Sequence, residues 1–148
     1  LQLVLAGQWG WKAESLRRRI AESPFTDDII LTGFVPDSDL PRLYSAALAM
    51  VFPSHYEGFG YPVAEALACG CQVLTSGQAA LSEFNHDRIS LFALDDPTEL
   101  KQIIIQVHQS EADPTNSEII RNTDAFREAY SLRKMIAKWE EVLQRLTS

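Results

Sequence analysis

The sequence predicts an α/β fold in which a mainly parallel sheet is flanked by helices. Three observations carry that expectation. Short apolar runs recur at 1–6, 29–32, 47–52, 72–74 and 89–92, as strands buried in a parallel sheet do. Segments with apolar residues at helical spacing lie between and after them. In order the elements read β-α-β-α-β-α-β-β-α-α-α, an alternation that argues for parallel strands joined by helices.

The first run, Leu1-Gln2-Leu3-Val4-Leu5-Ala6, ends at Gly7. A chain that opens in mid-strand is expected to be a piece of a longer protein, with a preceding strand upstream. Gln8-Trp9-Gly10-Trp11 follows as loop; its tryptophans are either core lids or ligand platforms, and lids are the favoured reading. Residues 13–22 read as a helix with Leu16 and Ile20 on its apolar face, and Pro24 ends it. The run Arg17-Arg18-Arg19 could clamp phosphate, but a solvated basic face is the simpler account.

Ile29-Ile30-Leu31-Thr32 is the next strand, and Gly33-Phe34-Val35-Pro36 leaves it. Asp37 or Ser38 can cap a helix to Ala46 that is packed by Leu40, Leu43 and Tyr44. A strand over 47–52 follows. Beyond the central motif the chain re-enters the sheet at 72–74, loops over 75–83, and forms a short strand at 89–92. Asp95-Asp96-Pro97 caps a helix to about His108. Residues 111–117 read as a polar linker, 118–130 as a helix with Ile119, Ile120 and Phe126, and Ser131 caps a last helix. That helix carries Leu132, Met135, Ile136, Trp139, Val142, Leu143 and Leu146 at helical spacing, a packing stripe and not a cofactor box. The expected organisation is a lobe over 1–110 with C-terminal helices over 111–148 packed on it.

Composition narrows the function. A net charge of −7 argues against a nucleic-acid-binding module. It also leaves helix dipoles and backbone donors to share the work of holding any anion. No run is long enough to cross a membrane, and no signal peptide is visible. Cys69 and Cys71 supply only part of a structural zinc set, so both read as reduced core thiols in a cytoplasmic protein. His86 and His108 lack an identifiable acid or nucleophile and read as surface residues.

The chemistry concentrates in Ser54-His55-Tyr56-Glu57-Gly58-Phe59-Gly60-Tyr61-Pro62-Val63-Ala64-Glu65-Ala66-Leu67-Ala68-Cys69-Gly70. Glycines on both sides of Phe59 let the backbone turn tightly and approach a ligand. Pro62 suits the first turn of a helix, and Gly70 suits its C-terminal cap. Free N–H groups at that helix start form an anion site. Glu65 stands among Val63, Ala64, Ala66, Leu67 and Ala68. A carboxylate in such company must face a cavity, a partner or a ligand. Glu57 and Glu65, on a loop and the following helix, could together grip vicinal hydroxyls; read alone, they could equally be a loop residue and a solvated helix edge.

This stretch resembles the E-x7-E signature of the family 4 retaining glycosyltransferases, also called group 1, whose GT-B architecture has two Rossmann-like lobes. Weaker agreement covers roughly residues 1–97, including Gly33-Phe34-Val35-Pro36-Asp37 and Asp39-Leu40 through Leu43-Tyr44. The resemblance implies the C-terminal lobe of such an enzyme, binding a nucleotide-diphospho-sugar, GDP-mannose or a UDP-sugar. The Gly10-Trp11 pair resembles that of members that use GDP-mannose. The sugar would pass to a glycan or lipid-linked hydroxyl acceptor held by an N-terminal lobe, as in polysaccharide biosynthesis, with room for peripheral association with a membrane.

By the same resemblance Glu65 holds the ribose, and Glu57 lies near the donor sugar as the catalytic carboxylate. Backbone N–H groups of Phe59, Gly60 and Tyr61, beside Gly58, meet the phosphates. Groups near Phe34 and Val35 meet the base, and Gly7 lines the same strand-end edge. No metal and no further cofactor is implied. The family's basic pair on the diphosphate precedes the first strand, so the chain alone is expected to be inactive. Departures at Cys71, Ala79, Ala80 and Ser82 set its later loop apart, although Glu83 is kept. Two other readings stay open: a nucleotide-sugar epimerase, and a non-catalytic lobe that binds nucleotide or mediates assembly.

Overall fold

Among the described residues every strand pair is parallel, as the alternation of elements predicts. The structure, a computed structural model, describes residues 1–56, 58–76, 84, 87–110 and 117–147. Its elements follow the expected order: β1 (Leu3–Ala6), α1 (Glu14–Ala21), β2 (Ile29–Gly33), α2 (Leu40–Ala46), β3 (Met50–Phe52), α3 (Tyr61–Ala68), β4 (Val73–Ser76), β5 (Ile89–Phe92), α4 (Pro97–Gln109), α5 (Ser117–Ala129) and α6 (Leu132–Thr147). They form two compact units, Leu1–Leu40 and Pro41–Ser148.

In the first unit β1 pairs with β2, Leu3 opposite Ile29 and Leu5 opposite Leu31. The register then slips, so that Ala6 faces Gly33. The Thr32 hydroxyl lies 3.4 Å from the Leu5 carbonyl and 3.0 Å from that of Gly33. Gly7 and Gly33 take φ of 122° and 64°, which a side chain would resist. The Gly7 N–H donates to the Gly33 carbonyl at 2.9 Å, tying the two strand ends together. The tryptophans correct the expectation of core lids: Trp11 is 89% exposed, at a turn where Lys12 adopts φ 63°. The Lys12 ammonium sits 4.2 Å from the Trp11 ring centre, and the Arg17 guanidinium 4.6 Å from that of Trp9. Thus Arg17 is spent on an aromatic face.

The second unit is built on the sheet β3-β4-β5, with β4 in the middle. All of β4 is buried, including Thr75 and Ser76. Those hydroxyls donate to the carbonyls of Phe52, at 3.1 Å, and of Ser54. The 75–76 segment is therefore strand and not the expected loop; its polar groups are buried because each finds a backbone partner. Val63, Ala66 and Leu67 of α3 pack with Cys71, Val73, Phe84 and Phe126 as the core, flanked by Tyr44, Met50 and Phe52. Burying one side chain of the size of Leu67 contributes about 1.5–3 kcal/mol.

The caps follow sequence rules. Gly70, at φ 74°, closes α3. Its N–H reaches the Leu67 carbonyl and the Cys71 N–H reaches that of Ala66, both at 2.9 Å, the paired bonds of a Schellman turn. Asp96 accepts from Thr98 and Glu99 N–H at 2.9 and 3.1 Å, and Ser131 accepts from Lys134 N–H at 3.3 Å. The strand expected from residue 47 begins only at Met50, because the Ala47 N–H still bonds Leu43 and Tyr44 carbonyls and completes α2. On α6, Leu132, Met135 and Ile136 are exposed; Trp139, Val142, Leu143 and Leu146 lie outside the described side chains.

Candidate functional site

The predicted site residues fall into two sets, one per unit. In the first unit Gly7 and Gly33 meet at the carboxyl ends of β1 and β2. Phe34 leaves that edge largely exposed, and Val35 is half-buried. Phe34 and Val35 thus follow directly on the Gly33 that bonds Gly7.

In the second unit the set is Gly58, Phe59, Gly60, Tyr61 and Glu65, between β3 and the first turns of α3. Glu57 lies outside the described residues, as do Ala79, Ala80, Ser82, Glu83 and His86. Gly60 is the N-cap of α3, in the left-handed region at φ 81°. It carries no side chain to occupy the helix's first N–H groups, as a Ser or Asp cap would. Its carbonyl takes the Val63 and Ala64 N–H at 2.9 and 3.1 Å. Pro62 has no N–H to offer. The N–H groups of Phe59, Gly60 and Tyr61 therefore precede the helical ladder, where the helix dipole favours an anion.

Tyr61 and Glu65 stand one turn apart on the exposed face of α3, while Val63, Ala66 and Leu67 turn inward. Glu65 has a partner that the sequence did not reveal: the Tyr44 hydroxyl donates to its Oε2 at 3.3 Å. Burial, and then the Glu65 carboxylate, push the Tyr44 hydroxyl up to about 12. It is therefore a protonated donor at any physiological pH. The signal was the choice of Tyr, an apolar ring with a polar tip, on the packed face of α2.

A second set of contacts was also missed. The Phe59 ring lies 5.0 Å from Tyr61, 5.2 Å from Phe84 and 6.4 Å from Tyr130, centre to centre. Phe84 and Tyr130 are themselves 5.4 Å apart. The glycine loop is thus braced by aromatic side chains from distant positions, which no local pattern announces.

Among the described residues no group of three or more His, Cys, Asp or Glu could hold a metal ion, and no helix is long and apolar enough to cross a membrane.

This arrangement can be set beside known proteins. O-antigen chain mannosyltransferase B of Escherichia coli is 39% identical over 117 residues, which is 79% of this chain and 30% of that protein. The Anabaena protein HepE, solved in complex with UDP, superposes with a TM-score of 0.80 at 18% identity, over 98% of this chain and 41% of its own. Sucrose-phosphate synthase from Thermosynechococcus elongatus gives 0.78 at 23%, over 99% and 38%. The chain thus spans well under half of the length of each of these proteins, and its fold is that of a C-terminal GT-B lobe. The sequence pattern that defines the glycosyl transferases of group 1 matches residues 1–126, taking in both glycine edges and the whole of the α3 motif, and the chain belongs to that family.

Proposed function

We propose that this chain is the donor-binding lobe of a retaining glycosyltransferase that takes a nucleotide-diphospho-sugar. The observation that carries the reading is the glycine-capped start of α3, which no side chain caps, one turn from a Glu65 carboxylate bonded by Tyr44. An anion-binding helix start beside a hydroxyl-binding carboxylate suits a diphosphate joined to a ribose. Glu65 takes the ribose hydroxyls, and the N–H groups of Phe59, Gly60 and Tyr61 take the phosphates. Glu57 is the residue proposed for the donor sugar. The mannosyltransferase relative supports mannose as the sugar. The UDP complex of HepE supports a nucleoside diphosphate as the leaving group.

In the reaction the bond from the sugar's anomeric carbon to the phosphate oxygen breaks. A bond to the acceptor oxygen forms on the same face, and the acceptor proton passes to the departing phosphate. The site's contribution is donors already aimed at the charge that grows on that phosphate. The acceptor, a glycan or lipid-linked hydroxyl, is held by another lobe. The reaction runs in the cytoplasm, and this chain alone transfers no sugar.

Calorimetric titration of GDP, UDP and ADP into the full-length protein tests the reading. One nucleotide should bind, and Glu65→Ala should weaken it by about 1–3 kcal/mol, the scale of a lost hydrogen bond to a charge. If no nucleotide binds, or Glu65→Ala is silent, the donor-site reading fails and a non-catalytic lobe replaces it.

A further inference from the structure

We infer that Tyr44 is a positioning residue for the donor site: its hydroxyl holds one oxygen of Glu65 so that the rest of the carboxylate faces a ligand's vicinal hydroxyls. The inference rests on the donor-site reading and adds a residue to it.

The geometry is specific. The Tyr44 ring is half-buried and packs, as Met50 and Phe52 do, against the core of the second unit. Its hydroxyl reaches out of that packing to Oε2 of Glu65, on a different helix, at 3.3 Å. Glu65 is exposed on α3, and a glutamate side chain left to itself samples many rotamers. The contact selects among them. It uses one of the roughly four lone-pair sites of an ionised carboxylate. Oε1 and the remaining site on Oε2 can therefore still accept two hydroxyl donors from a sugar ring. Because the Tyr44 hydroxyl stays protonated, it donates throughout the working pH range. The bond is long for O–H to O, so its own energy is modest. What it supplies is orientation, and affinity gained by removing rotamer freedom before binding is real affinity.

The test separates this from a packing role. Tyr44→Phe keeps the ring and removes only the hydroxyl. GDP and UDP, and their 2′,3′-dideoxy counterparts, are titrated into the full-length protein as wild type, Tyr44→Phe, Glu65→Ala and the double variant. The wild type should prefer the ribonucleotide. Tyr44→Phe should shrink that preference by about three- to tenfold, the range of one net hydrogen bond. It should leave dideoxy binding unchanged and add nothing once Glu65 is gone. If Tyr44→Phe weakens ribo and dideoxy ligands equally, or weakens neither, the positioning role is overturned while the donor site stands. If Glu65→Ala also leaves the ribo preference intact, or no nucleotide binds, the donor-site reading falls first and this inference with it.

Discussion

Arg127 Nε donates to the Ala68 carbonyl at 2.6 Å, across 59 positions of sequence. The contact fastens α5 to the last turn of α3, where unpaired carbonyls and the negative end of the helix dipole welcome a cation. Asp124 steadies the other arm of the guanidinium at 3.2 Å. That pair is solvent-exposed and adds little. Arg127→Ala is expected to cost about 1–2 kcal/mol in denaturant titration. Asp124→Ala is expected to cost under about 0.5 kcal/mol. Equal losses from both would mean that the ion pair, not the carbonyl cap, matters.

Gly70 should resist replacement. It sits at φ 74°, and an added Cβ would meet Thr123 Oγ1 at 3.3 Å. Gly70→Ala is expected to lower stability by about 1–2 kcal/mol, most of it the left-handed strain. Adding Thr123→Ala should recover the smaller, steric share. A silent Gly70→Ala in thermal melts would contradict the assigned backbone.

The aromatic brace predicts coupling between the loop and α5. Phe59 and Tyr130 meet edge-on at 6.4 Å, both in contact with Phe84. A double-mutant cycle of Phe59→Ala and Tyr130→Ala should give an interaction of about 0.5–1.5 kcal/mol. Strict additivity would show that the rings are neighbours without energetic consequence.

Stability should fall on the alkaline side. Burial pushes the Cys71 thiol up to about 11 and the Tyr44 hydroxyl up to about 12. Between the ordinary and the raised values the folded state holds protons that the unfolded state releases. Stability is thus full below about pH 9 and declines as pH rises toward 12. Cys71→Ala should flatten the part of the decline below pH 11, and Tyr44→Phe the part above pH 10. Chemical denaturation at stepped pH reads both, and unchanged slopes would count against these environments.

The order of elements was legible because apolar runs and helical spacing are local signals, and the caps at Gly70, Asp96 and Ser131 were legible for the same reason. The α3 motif was visible as a pattern, and Glu65 stood out against its apolar neighbours. What stayed hidden depends on distant partners. Thr75 and Ser76 looked like loop because their hydroxyls are polar, and only the carbonyls of Phe52 and Ser54 make them acceptable inside a sheet. Tyr44 looked like ordinary packing until α2 and α3 were side by side. Trp11 looked like core because tryptophan is large and apolar, yet the turn at Lys12 leaves it in solvent.

The place of Phe126 in the core alongside Val63 and Leu67 has a consequence for synthesis. The ribosome delivers the motif helix first, and Phe126, which helps to cover its inner face, emerges some sixty codons later. Until then a nascent chain holds an apolar helix face without its cover, a state in which partly made proteins aggregate or recruit chaperones. A stop codon soon after Gln109 would fix the chain in that state. Damage to the codons of α5 would thus appear as lost protein before it appeared as lost catalysis.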